Sequence, residues 1–307
     1  QSTFFGPLKF SILPQLLNDD ELVAGNGLVN AGTNIAILTG TLCGGLFILS
    51  PLGRHYISAG VVGVAVAGYA ASRFIPTAEP SSPGLRIDRN LFRSTWEMLV
   101  YPFCNRDVFR SIIGISWFWF LGSVFLAQFP SFAKDALGGD EQVSTLFLVL
   151  FSVGVGAGAT FCNKLLKGRV SGKYLSCSLI GMSLFIVMLY IFSAAAPAGG
   201  ELISALQFIR GPRAAGIVFT MFMIAACGGL YSVPMYAMMQ RMTPESHMAR
   251  VIASLNIIDS LGMVAAAMLT ALMISAGVSI SGIFLSMAFL NLLMLPLTIK
   301  LSRISYD

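Results

Sequence analysis

Apolar residues run in long, nearly unbroken stretches along this chain, at about 22–50, 57–75, 108–132, 142–165, 172–194, 214–240, 248–276 and 279–302. Each is long enough for the ~20-residue helix that crosses a bilayer. Alternating ten-residue segments of the kind that build a membrane barrel are absent, and an open sheet edge in hydrocarbon would leave backbone groups unsatisfied. The pattern predicts an all-α membrane protein with eight spans, plus the tail of another over 1–17.

The longest polar interruption, 76–107, opens as a Pro/Ser linker (PTAEPSSPG) and continues as a mixed amphipathic piece around Leu91 to Leu99. It divides the chain into residues 1–75, read as the remnant of an N-terminal six-helix bundle, and residues 108–307, read as a C-terminal bundle of six spans. With this linker placed in the cytoplasm, alternate loops collect Arg73, Arg86, Arg89, Arg93, Arg106 and Arg110, then Lys164, Lys167, Arg169 and Lys173, then Arg241 and Arg250, then Lys300 and Arg303. Adding Lys9, fifteen of the nineteen basic residues fall on that side, against Arg54, Lys134, Arg210 and Arg213 on the other. The positive-inside rule therefore sets the orientation, and the net charge of +5 needs no nucleic acid as partner.

Composition agrees. Hydrophobic residues make up 56% of the chain and charged residues 11%, and the mean hydropathy is +0.79. A soluble domain carries about 25% charged residues, so this chain needs lipid as solvent and has no room for a large soluble domain. Cys43, Cys104, Cys162, Cys177 and Cys227 form no CxxC pair, which argues against a disulfide framework or a zinc site. The chain opens at Gln1 inside an apolar aromatic stretch with no charged leader, and so reads as a cut within a longer protein, not as a signal peptide.

Polar groups inside the spans carry the candidate chemistry. Asp259, in VIASLNIIDSLGMVAAAML, is the clearest acidic residue within a span. A carboxylate there costs at least about 2.5 kcal/mol on insertion scales, so it should face the bundle interior or a wet cavity. Asn256 precedes it by one turn and Gly262 and Ala266 follow, giving one face of polar and small residues. A structural carboxylate hydrogen-bonded to a neighbouring helix and a pathway or coupling carboxylate both fit. Asn26, Asn30 and Asn34, spaced by four, share one sector of a helix. Such a stripe suits a cavity wall facing a zwitterionic or phosphate-bearing group, or interhelical hydrogen bonds at about 0.6–2 kcal/mol each.

Other signals are structural. Gly154, Gly156 and Gly158 lack the preceding strand and following acidic residue of a dinucleotide site, and predict close helix packing instead. Trp117, Phe118, Trp119 and Phe120 lie in an apolar run, where packing against core or lipid is the default and a cavity wall for a fatty chain the second reading. The two histidines, His55 and His247, fall at loop ends, and neither has a carboxylate five residues later. No nucleophile, base and orienting group can be assembled, so the sequence predicts no enzyme, no metal and no cofactor.

Three stretches carry a family likeness: FFGPLKFSILPQLLNDDELVAGNGLVNAGTNIAILTGTLCGG (4–45), ISWFWFLGSVFLAQFPSFAKDALGGDEQVSTLFLVLFSVGVGAG (115–158) and GGLYSVPMYAMMQRMTPESHMARVIASLNIID (228–259). They resemble the lysophospholipid transporter branch of the major facilitator superfamily, particularly the version fused ahead of an acyltransferase and an acyl-carrier-protein ligase. The resemblance implies a twelve-helix fold in two six-helix halves, of which this chain would hold the end of helix 4 and helices 5–12. It also implies a secondary transporter that flips lysophospholipids, notably lysophosphatidylethanolamine, across the bacterial inner membrane for reacylation. The implied partners are that substrate, membrane lipid and a fused or associated acyltransferase.

By position, Lys9 in GPLKFSIL matches the family's basic residue at the cytoplasmic end of helix 4, and Asn26 matches an Asn near the start of helix 5. The loop GATFCNKLLKGRV resembles a degenerate cytoplasmic gate motif, with Asn163 at the acidic position and Lys164, Gly168 and Arg169 retained. Where relatives carry an intramembrane Arg on helix 7, GSVFLAQF offers Gln128. The expected pathway set is thus Asn26, Asn30, Asn34, Gln128, Asn256 and Asp259, with Lys9, Lys164 and Arg169 as gate candidates. Two further readings stand beside transport of lysophospholipid: a proton-coupled exporter of small drugs or metabolites using Asp259, and a membrane anchor for a fused acyltransferase.

Overall fold

The computed structural model describes residues 8–18, 21–48, 50–77, 105–193 and 202–303, with isolated positions between 90 and 102. Each of the eight apolar stretches carries a helix. In chain order, with a short α6 in a connection and α9 and α10 sharing the last stretch, the helices are α1 (Leu22–Ile48), α2 (Gly53–Ser72), α3 (Arg106–Ser131), α4 (Glu141–Leu166), α5 (Leu175–Ser193), α6 (Ala205–Arg210), α7 (Ala214–Met242), α8 (Glu245–Ser275), α9 (Ile280–Leu292) and α10 (Leu295–Ser302). A helical turn at Leu13–Leu16 precedes them. The linker 76–107 and its amphipathic piece fall largely outside the described residues.

Among the described residues six helices are long and apolar enough to cross a membrane, or seven if α9 and α10, bent by 43° from one another, form one span. The chain is an all-α, multi-pass membrane protein. The bend at α9/α10 has a local cause: Pro296 sits in the first turn of α10 and cannot continue the hydrogen-bond ladder of α9. Polar side chains start other helices. Asn105 accepts from the backbone of Asp107 and Val108 at the head of α3, Asp140 does the same for Gln142 and Val143 at α4, and Ser204 and Gln207 form a capping box at α6. At the end of α4, Lys167 and Gly168 take left-handed backbone angles that stop the helix.

The glycine stripe of α4 explains how the bundle is spaced. A Cβ on Gly158 would lie 1.9 Å from the Ala226 carbonyl oxygen, one on Gly154 would lie 2.6 Å from Ala225 Cβ, and one on Gly229 would lie 2.3 Å from the Val155 oxygen. Helices α4 and α7 thus touch backbone to backbone, as small residues permit where lipid supplies no hydrophobic drive. Gly156, half a turn round, faces Ala31 of α1 instead. Helix α4 therefore lies between α7 and α1, and the expected small-residue packing is present. Helix α7 also packs on α3 and α5, α8 packs mainly on α3, and α2 packs mainly on α1.

The two ends of the bundle differ. Gly172, in the loop after α4, lies against the Leu301 backbone near the end of α10, so the loop carrying Lys164, Lys167, Arg169 and Lys173 shares one end with Lys300 and Arg303. At the opposite end the loop after α3 is tied to the segment before α6 by Asp140 N–H to Ile203 O and Ile203 N–H to Gly138 O, both 2.9 Å. Lys134, Arg210 and Arg213 lie there. That opposite end is filled by Phe125, Phe129, Phe132, Phe147, Phe208 and Phe284, while the basic end packs aliphatic and methionine side chains such as Val108, Ile112, Met235, Met238 and Met239.

Candidate functional site

Polar groups buried within the helices gather where the N-terminal elements meet the bundle. The spacing of four in α1 turns Asn26 and Asn30 toward α7, where they are 1% and 5% exposed. The Asn26 amide donates to Gln240 Oε1 and to the Leu22 carbonyl, and Gln240 Nε2 donates to the Phe10 carbonyl at 2.9 Å. Deeper along the same pair of helices, Asn30 Nδ2 donates to Ser232 Oγ at 3.3 Å. Asn34 continues the stripe on α1, but its side chain lies outside the described residues.

Aromatic rings extend this junction. Phe10 stacks on Tyr236 with centroids 4.6 Å apart and planes 11° apart. The Tyr236 hydroxyl accepts from Trp119 Nε1 at 3.0 Å. Lys9 places its ammonium over the Phe10 ring at 4.9 Å and donates to Thr33 Oγ1 at 3.1 Å.

Asp259 of α8 is buried against α3, where the Ser116 hydroxyl donates to its Oδ1. Ser116 is its one donor among the described residues, although an ionised carboxylate can accept about four hydrogen bonds. Tyr236 lies within electrostatic reach of this carboxylate. The site is therefore built by five elements: the segment before α1, then α1, α3, α7 and α8. It offers amide groups, an ammonium, aromatic faces and a carboxylate with unused acceptor capacity.

The other expected residues are not gathered here. Asn256 is half-buried on α8, one turn before Asp259. Gln128 is half-buried on α3, twelve residues past Ser116, which is about 18 Å along a helix. Lys164 and Arg169 are exposed at the basic end, on and just after the last turn of α4. Sequence reasoning missed Gln240, Ser232, Tyr236, Trp119 and Ser116, each of which partners an expected residue or its neighbour. Gln240 carried a faint signal, since it is an amide just inside the basic end of an apolar run.

No family model matches the chain. Among curated proteins it is 28% identical over 247 residues to the lysophospholipid transporter LplT of Citrobacter koseri, covering 79% of this chain and 56% of the relative. The proteins of the same name from Salmonella gallinarum and Salmonella newport are each 28% identical over 248 residues, with the same coverage. The chain spans a little more than half the length of these relatives.

Proposed function

We propose that this chain, similar to lysophospholipid transporters over most of its length, is the larger part of a facilitator-type secondary transporter that flips lysophospholipids across the bacterial inner membrane. It acts as a carrier and not as an enzyme, with linker 76–107 on the cytoplasmic face. The domain division at that linker belongs to the same reading. The observation that carries it is a set of buried polar groups: Asp259, with a single hydroxyl donor and Tyr236 within electrostatic reach, and the amides of Asn26 and Asn30 bonded to α7. A zwitterionic headgroup needs an anionic partner for its ammonium, which Asp259 supplies. It also needs donors for its phosphate, which Lys9 and the amides of Asn26, Asn30 and Asn34 supply as one half rocks against the other. An acyltransferase on the cytoplasmic side, fused or separate, consumes the product.

The test is movement of labelled lysophosphatidylethanolamine in inverted membrane vesicles holding the native-length protein. Movement above vesicles lacking the protein, slowed in Asn30→Ala and Asp259→Asn, is expected. Equal rates in both variants and the parent would remove these residues from the path. A second reading, a proton-coupled exporter of small molecules, draws on the same sparsely bonded carboxylate. Soluble-substrate export whose proton dependence disappears in Asp259→Asn would favour it.

A further inference from the structure

At the end of the bundle opposite the basic loops, three elements border a polar cavity of about 500 Å³, within the size range of small-ligand sites. Helix α3 runs on past Pro130 into a π turn, Phe132–Ala136, which brings Asp135 to the cavity wall. Turns of this kind recur at functional sites. The end of α5 contributes Tyr190 and Ser193, and the start of α9 contributes Ser279 and Ser281. Gly277, at φ +80°, turns the chain into Ser279, whose hydroxyl oxygen accepts from the Gly282 N–H at 3.2 Å. Ser193 Oγ donates to the Tyr190 carbonyl at 3.0 Å and lies 3.1 Å from Ser281 Oγ. The Asp135 carboxylate is exposed, and neither it nor the Tyr190 hydroxyl has a hydrogen bond or ion pair among the described residues.

We infer that this cavity binds the ammonium-bearing head of a membrane lipid, at a site apart from the junction around Asp259. Asp135 balances the ammonium charge, and the Tyr190 and serine oxygens accept its N–H groups. A calcium ion would need about six to eight oxygen ligands, commonly several of them carboxylate, and Asp135 is the one carboxylate in the described lining. The surroundings favour a lipid over a soluble amine. The cavity lies among helix ends, and below it Leu184 of α5 and Phe289 of α9 are 56% and 61% exposed. Each lies nine residues from a cavity residue of its own helix, Ser193 and Ile280, which is about 14 Å along the helix toward the middle of the membrane. An acyl chain resting on that apolar surface keeps its head at the cavity. Lys134, the residue before Asp135, is exposed and unpaired among the described residues, and it adds a cation beside the cavity for the lipid phosphate.

The experiment uses the native-length protein in nanodiscs, with its native cysteines replaced and Val278→Cys, half-buried in the cavity wall, as the reporter. A membrane-impermeant maleimide labels it, and nanodiscs of phosphatidylglycerol alone set the reference rate. Adding an equal amount of phosphatidylethanolamine should slow labelling roughly threefold or more. The N-acetylated lipid, which has no ammonium, should leave the rate at the reference. Asp135→Asn should abolish the protection, and because Asp135 is exposed the variant should keep the parent's unfolding temperature. Equal labelling in the two lipids, protection by the N-acetylated lipid, or protection that survives Asp135→Asn overturns the site. Free ethanolamine at millimolar concentration should not protect, and protection equal to that of the lipid overturns the assignment to a lipid. The readout is binding, so it tests the site whether or not the protein moves lysophospholipid.

Discussion

Two neighbouring residues of α3 point to two kinds of buried polar node. Ser116 meets Asp259 of α8, and Trp117 meets Asn291 of α9. Asn291 is fully buried and well bonded: Oδ1 accepts from Trp117 Nε1 at 2.8 Å, and Nδ2 donates to the Leu179 carbonyl and to Ser183 Oγ, both at 2.9 Å. Ser183 in turn donates to the Ala288 carbonyl at 3.0 Å. Three helices are thereby fastened one turn before the bend between α9 and α10. Asp259 has one donor, and its remaining acceptor capacity has no partner among the described residues. A satisfied amide in a bundle reads as a fastener. A carboxylate held by one hydroxyl costs the fold stability and leaves room for a ligand or a proton.

The contrast can be broken by substitution. Asn291→Ala should have the largest effect on stability, because it strands the Trp117 N–H and the Leu179 carbonyl. A loss of roughly 2–4 kcal/mol is expected from two buried groups left unpaired, read as a lower unfolding temperature in detergent with transport per folded molecule unchanged. Normal stability would mean that the node is not a fastener. Asp259→Asn should behave in the opposite way, keeping or raising the unfolding temperature while slowing lipid movement about tenfold, equivalent to about 1.4 kcal/mol on the barrier. Destabilisation with normal transport would make Asp259 a second fastener.

Smaller changes sharpen the picture. Ser116→Ala removes the carboxylate's donor and should cost about 1 kcal/mol of stability, with a few-fold change in transport rate measured in vesicles. Trp117→Phe keeps the ring against Phe120, 5.0 Å away, and deletes only the indole donor. It should lower stability by about 1 kcal/mol or less and leave the transport rate alone. If Trp117→Phe slowed transport more than Ser116→Ala, the assignment of the two nodes would be reversed.

The amide stripe shows how far pattern alone reaches. Spacing by four was enough to place Asn26 and Asn30 on one face of α1, and both are buried against α7. Their partners were not legible, because Ser232 and Gln240 belong to a helix about two hundred residues later and no local rule pairs them. Asp259 stood out because a carboxylate within a span is expensive wherever it lies. Asn291 did not, since one amide among LNLLML looks like any interhelical contact until Trp117, Leu179 and Ser183 are seen around it. Gln128, Lys164 and Arg169 were singled out by family position, which carries no information about which side chains a given bundle brings together.

From sequence alone come the all-α class, the span positions and an expected orientation. Each depends on the exchange between water and hydrocarbon, which acts residue by residue: apolar runs must reach the bilayer's thickness, backbone groups must bond within the helix, and basic loops stay inside. Only the tertiary structure decided which polar groups meet. Glycines 154 and 158 let α4 and α7 approach to backbone contact, and Gly156 seats α1 beside them. That spacing sets the register in which Asn26 reaches Gln240 and Asn30 reaches Ser232. Hydrogen bonds across helices act over about 3 Å, so their partners follow from packing geometry that no single helix contains.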